Sequence, residues 1–173
     1  MSVKTSLIVA ALISSIDANA ECVYPGLDLS NLADKILECK FSVTEPIPND
    51  YLISYSICNN SVRCPGIGAP YSMVTQQSIE FSPDCYYLSE WNPDIMPVLT
   101  NSNPIEYTFT FNNGRYDENC NQNRTEQISF ICDPNADPYG NITCGEFSQP
   151  CNYYYKINTI SACNNNGKQI NHD

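Results

Sequence analysis

Histidine occurs once in this sequence, at His172 near the end. Imidazole-based acid–base catalysis and histidine metal ligation therefore have almost no carrier. There is no G-x-S-x-G elbow and no glycine-rich phosphate loop, the local signatures of serine hydrolases and nucleotide enzymes. No C-x-x-C pair occurs among the cysteines, so the common zinc spacings are missing too. The expectation is a protein that is not an enzyme and holds neither metal nor cofactor. Basic residues are equally scarce, with eight Lys and Arg against nineteen Asp and Glu and a formal net charge of −11. That balance argues against nucleic acid and against an anionic membrane surface as partners. Beyond the first twenty residues no apolar run approaches the ~18 a membrane-crossing helix needs, so a soluble chain with no membrane insertion is expected. No segment of ten or more residues keeps a helical period, and there is no internal repeat.

Cysteine is what the chain has in number. Ten are present, at 22, 39, 58, 64, 85, 120, 132, 144, 151 and 163. All follow a segment in which Lys4, the apolar stretch Leu7 to Ile16 and the small-x-small triplet Ala18-Asn19-Ala20 make a secretory signal peptide. Residues 1–20 are thus expected to be removed, leaving 21–173 as one domain in an oxidising compartment. An even cysteine count there predicts five disulfides. The sequons at Asn59, Asn123 and Asn141 fit the same compartment as N-glycosylation sites.

Short runs rich in Tyr, Ile, Phe and Thr recur between clusters of Pro, Asn, Asp and Gly, the pattern of an all-β chain. Strands are expected at Tyr51–Ile57, Tyr71–Gln77, Ile105–Phe111, Gln127–Cys132 and Tyr153–Thr159, with one helical turn within Leu29–Leu37. The Asn112-Asn113-Gly114 turn is expected to fold two strands into a hairpin. The architecture predicted is a flattened β-barrel or sandwich of short antiparallel strands, stapled by disulfides.

After that turn the chain reads Cys120, Arg124-Thr125, Phe130-Ile131-Cys132-Asp133, Cys151-Asn152-Tyr153 and Ala162-Cys163. Upstream stand Asp28-Leu29-Ser30-Asn31-Leu32, Tyr55-Ser56-Ile57-Cys58 and Tyr87-Leu88. This ordered set resembles the mannose 6-phosphate receptor homology (MRH) family of lectins over roughly Cys22 to Cys163. The resemblance implies bridges Cys120–Cys151 and Cys132–Cys163, with Cys22–Cys39 and Cys58–Cys64 in the N-terminal half, and leaves Cys85 with Cys144.

The resemblance also implies a sugar pocket of four residues: Gln76 (or Gln77, one register step away), Arg124, Glu146 and Tyr153. Arg124 stands four residues after Cys120 and eight before Cys132, and Tyr153 closes the Cys-x-Tyr motif. In the implied roles Gln76 and Arg124 donate to the axial 2-hydroxyl of mannose and its neighbour, Glu146 accepts from the 3- and 4-hydroxyls, and Tyr153 meets the 4-hydroxyl. Such residues suit a pyranose, because each hydroxyl taken from water needs a partner in the site. The function implied is a lectin module for high-mannose or phosphomannosyl N-glycans on glycoproteins of the secretory or endolysosomal lumen, or outside the cell. The alternative is a protein-interaction or trafficking adaptor on the same fold. For a phosphorylated ligand the nearby cation is Arg115, beside the Asn-Gly turn.

Overall fold

A computed structural model describes residues 22–33, 35–43, 49–65, 71–80, 85–137, 141–146 and 151–163. The segment read as a signal peptide lies outside them. Alternation builds the larger sheet. In β8 (Ile105–Phe111) the aromatic side chains of Tyr107, Phe109 and Phe111 are buried while Thr108 and Thr110 turn outward, the period-2 pattern of a strand with one covered face. β11 (Thr125–Cys132) and β13 (Asn152–Thr159) repeat it with Ile128 and Phe130, and with Tyr153, Tyr155 and Ile157. With β7 (Val98–Ser102) and β12 (Asn141–Glu146) these form a five-stranded sheet, ordered β12-β13-β11-β8-β7. A second sheet, β3-β4-β5-β6, comprises Ile36–Val43, Asn49–Ser56, Val74–Ser78 and Cys85–Ser89.

The two sheets close over a core centred on Phe109, whose ring lies 5.1 Å from Tyr24, 5.7 Å from Trp91 and 5.9 Å from Phe130. Tyr55 of one sheet meets Tyr155 of the other at 5.5 Å between ring centres. Each fully buried Phe in such a core contributes about 1.5–3 kcal/mol relative to exposure. The chain is all-β and sandwich-like, as the residue pattern implies. A small N-terminal hairpin, β1 (Val23–Tyr24) with β2 (Leu27–Asp28), turns at Gly26, whose φ is 81°. The helical turn falls at Ser30–Leu32.

Several expectations need correcting. Asn112-Asn113-Gly114 does not close a hairpin between β8 and β11. Those strands pair, from Glu126 opposite Phe111 onward, but between them the chain makes a separate hairpin of β9 (Tyr116–Asp117) and β10 (Gln122–Asn123). Gly114 is required for a different reason. A Cβ there would run into the carbonyl oxygens of Arg124 and Leu88, so the backbone passes where only glycine fits. One ladder, β11 with β13, is parallel. The chain leaves β11, reaches the sheet edge as β12, and returns antiparallel to it as β13. β5 is shorter than expected because Ser72 is held by a lone bridge to Val62. Strands β3, β6, β7 and β12 were not expected; β3 and β12 do alternate, with Leu37, Cys39 and Phe41, and Ile142 and Cys144, turned inward, whereas β7 is exposed at every position.

Three implied disulfides are also replaced. Cys22 bonds Cys58, not Cys39; Cys64 bonds Cys85, not Cys58; and Cys39 bonds Cys144, the residue left to Cys85. The sheets decide this. Cys39 lies opposite Ile53, on the inner face of β3, and β3 lies against β12, so Cys144 of the facing sheet comes to a Cα separation of 6.1 Å. Cys58 leaves β4 with φ of 60° and reaches Cys22 of the N-terminal hairpin, while Cys64 reaches the start of β6. Both C-terminal bridges, Cys120–Cys151 and Cys132–Cys163, are formed with the implied partners.

Candidate functional site

Gln76 sits on β5 directly opposite Ile53 of β4 and Tyr86 of β6. Residues directly opposite share a face, so Gln76 points with Ile53 toward the core side, where it is buried. Gln77 pairs with Leu52 and Cys85 and takes the other face. Tyr86 is 41 % exposed, at the rim of the sandwich.

From the other sheet, Arg124 enters just ahead of β11. Its backbone N–H donates to the Arg115 carbonyl at 3.1 Å. Its guanidinium lies over the Tyr86 ring, 5.2 Å from the centroid, and forms an ion pair with Asp117 of β9. The other oxygen of Asp117 accepts the Asn119 N–H at 2.8 Å. Arg124 is only 6 % exposed, and its Nε donor is buried with no acceptor. Gln76 and Arg124 therefore meet at Tyr86 from opposite sheets.

Two residues along β11, Glu126 is wholly buried, opposite Phe111 on one side and Tyr153 on the other. Burial pushes its carboxyl up to about 8, while the Ser89 hydroxyl and the Arg124 charge pull the other way. Neither supplies its oxygens with a hydrogen bond of good geometry. Tyr153, also buried, stands between Glu126 of β11 and Glu146 of β12 in one register row. Gln76 and Arg124 thus both adjoin Tyr86, while Tyr153 and Glu146 share the register row of Glu126, two residues along from Arg124. Asp117, Tyr86 and Glu126 were not foreseen. Only Glu126 had a sequence signal, since it shares parity with Ile128 and Phe130 on the core face of its strand.

Two open cavities lie elsewhere. One of about 360 Å³ is lined by Tyr71, Ser72, Tyr87, Ser89, Glu90 and Arg115 among others. Another of about 440 Å³ lies on the outer face of the larger sheet, along Thr108, Ser129, Tyr154 and Lys156. Neither is lined by Gln76, Arg124 or Tyr153. Among the described residues, Asp117, Cys120 and Cys151 are close enough to share an ion, but both sulfurs are tied in one disulfide and cannot ligate as thiolates.

The three sequons differ. Asn123 and Asn141 are exposed, and Asn123 adjoins Arg124. The Asn59 amide donates to the Ala33 carbonyl at 2.5 Å, and its oxygen accepts from Ser61 at 2.6 Å.

No family model matches this chain, and no curated protein does so. Solved structures do. The chain is similar to domain 11 of the echidna mannose 6-phosphate/IGF2R receptor at 19 % identity and a TM-score of 0.53, over 81 % of this chain and 88 % of that one. It is also similar to domain 11 of chicken IGF2R, at 14 % identity and TM-score 0.46, covering 77 % and 80 % of the two chains. The MRH domain of Yos9, solved with alpha3,alpha6-Man5, matches at 9 % identity and TM-score 0.42, covering 78 % and 80 %. The echidna match, together with the all-β sandwich described above, shows that the chain has the MRH-like fold.

Proposed function

We propose that this domain is a mannose-binding lectin module, taking terminal α-mannose of N-glycans at the corner formed by Gln76, Arg124, Glu146 and Tyr153. The observation that supports this most is the meeting of Gln76 and Arg124 on Tyr86, from two different sheets. A planar guanidinium held by Asp117 on one side keeps a fixed fork. Its buried Nε without an acceptor is the kind of donor a sugar hydroxyl satisfies. Gln76 and Arg124 donate to the axial 2-hydroxyl and its neighbour. Glu146 accepts from the 3- and 4-hydroxyls, and Tyr153 contacts the 4-hydroxyl. Because Gln76, Arg124 and Tyr153 are buried, the corner has to widen for the sugar to enter. That cost favours weak single-site affinity, raised by multivalent display. The disulfides favour a lumenal or extracellular setting, where glycoproteins are the partners. Among the described residues no helix is long and apolar enough to cross a membrane.

A second reading has its own observation. Gln76, Arg124 and Tyr153 line neither open cavity, which suits a protein-binding adaptor whose pocket is closed. Fold alone does not choose between them, and the echidna receptor's name joins mannose 6-phosphate with IGF2. Titration decides. The lectin reading predicts that methyl α-mannoside binds and that Arg124→Lys weakens it by roughly 1.5–3 kcal/mol, the range for hydrogen bonds to charged groups. No mannoside signal at any concentration leaves the adaptor.

A further inference from the structure

The cavity of about 360 Å³ beside β6 is not lined by Gln76, Arg124 or Tyr153, and its chemistry is specific. Its size falls within the roughly 300–1,000 Å³ of small-ligand pockets. Two aromatic rings, Tyr71 and Tyr87, stand among Ser72, Ser89, Glu90, Asn113 and Arg115. Tyr71 is 57 % exposed, and Arg63 lies over its ring at 5.4 Å, steadying a side chain that solvent surrounds. The Asn113 amide donates to the Glu90 carbonyl at 3.0 Å, fixing two sides of the cavity to each other. Ser89 is buried to 3 % exposure, and its hydroxyl lies beside the Glu126 carboxyl, whose rise in pKa it opposes.

We propose that this cavity is a second saccharide subsite, which takes a neutral pyranose of the same glycan next to the terminal mannose. Aromatic walls receive the apolar face of a sugar ring, while Glu90 and Arg115 offer an acceptor and a donor at its edge. Among the described residues one acid and one base line the cavity, so that lining carries no net charge to select an anion. The two sites are neighbours. The Arg124 N–H donates to the carbonyl of Arg115, and Ser89 acts on Glu126 at the other corner. The subsite extends the lectin reading, but its own residues are separate from that corner.

The test uses the full isotope-labelled chain, titrated with methyl α-D-mannopyranoside and with an α-linked mannotriose while amide shifts are followed. The trisaccharide is expected to bind about tenfold tighter than the monosaccharide, the effect of one or two added hydrogen bonds. Its added shifts should fall at Ser72, Ser89, Asn113 and Arg115. Tyr71→Ala and Arg115→Ala, both at exposed positions, should remove that gain and leave the monosaccharide affinity unchanged. A trisaccharide advantage that survives both variants, or shifts confined to Arg124 and Tyr153, overturns the subsite. Shifts confined to the cavity, unaffected by Arg124→Lys, keep the subsite and sink the Arg124 corner. No shift with either sugar sinks both.

Discussion

Replacing Glu126 by Gln should change how stability depends on pH. Glu126 is wholly buried and its carboxyl is pushed from 4.5 up to about 8, chiefly by burial. In the unfolded chain the same group ionises near 4.3. Between those values the folded state holds a proton that the unfolded state has lost, so stability falls as pH rises. It is greatest below the unfolded pKa, declines through the window up to about 8, and is flat above it. At about 1.4 kcal/mol per pH unit, the whole window amounts to on the order of 5 kcal/mol, a large part of a typical domain's stability. Glutamine keeps the shape and cannot ionise. Urea unfolding with disulfides intact, at pH 5 and pH 8, reads the effect directly. The wild type should lose several kcal/mol between the two, and Glu126→Gln should lose little of it, ending more stable than wild type at pH 8. Tyr55, whose hydroxyl burial raises well above 10, titrates outside this window. Parallel curves for the two proteins would refute the reasoning, because Glu126 would then be ionised and solvated in the fold.

Non-reducing peptide mapping should recover Cys39 linked to Cys144. Its closure of a loop of 105 residues is worth about 4–5 kcal/mol in the chain-entropy model, so the Cys39→Ser/Cys144→Ser double variant should unfold at markedly lower denaturant. Gly114→Ala forces a methyl group against two backbone carbonyls and should cost about 1–3 kcal/mol of stability, as overpacking does; a neutral result in thermal melts would mean the strand-end packing yields. Mannose should bind at least as tightly as mannose 6-phosphate, since a domain of net charge −11 repels a dianion. A tenfold preference for the phosphate, abolished by Arg115→Ala, would reverse that order.

Local sequence determined the strands in which one face is covered. Tyr107, Phe109 and Phe111 alternate with threonines, and no other period buries them, so β8, β11 and β13 were legible from composition and spacing. Cys120–Cys151 and Cys132–Cys163 were legible too, through the motif that carries Arg124 and Tyr153. The edge strand β7 was not. β7 is exposed at every position, and a strand that covers nothing leaves no alternation to read. The remaining disulfides depended on which strands face across the sandwich, a long-range fact that brings Cys39 to Cys144 from 105 residues away. The same holds at the site. Sequence supplied Gln76, Arg124, Glu146 and Tyr153 as separate letters, but only packing the two sheets put Gln76 and Arg124 on either side of Tyr86. Asp117 became the partner of Arg124 because an added hairpin interrupts β8 and β11, and Glu126 became a buried acid because its parity on β11 places it in the core. Charge pairing and burial are properties of the closed sandwich, since each needs a neighbour that the chain supplies only after folding.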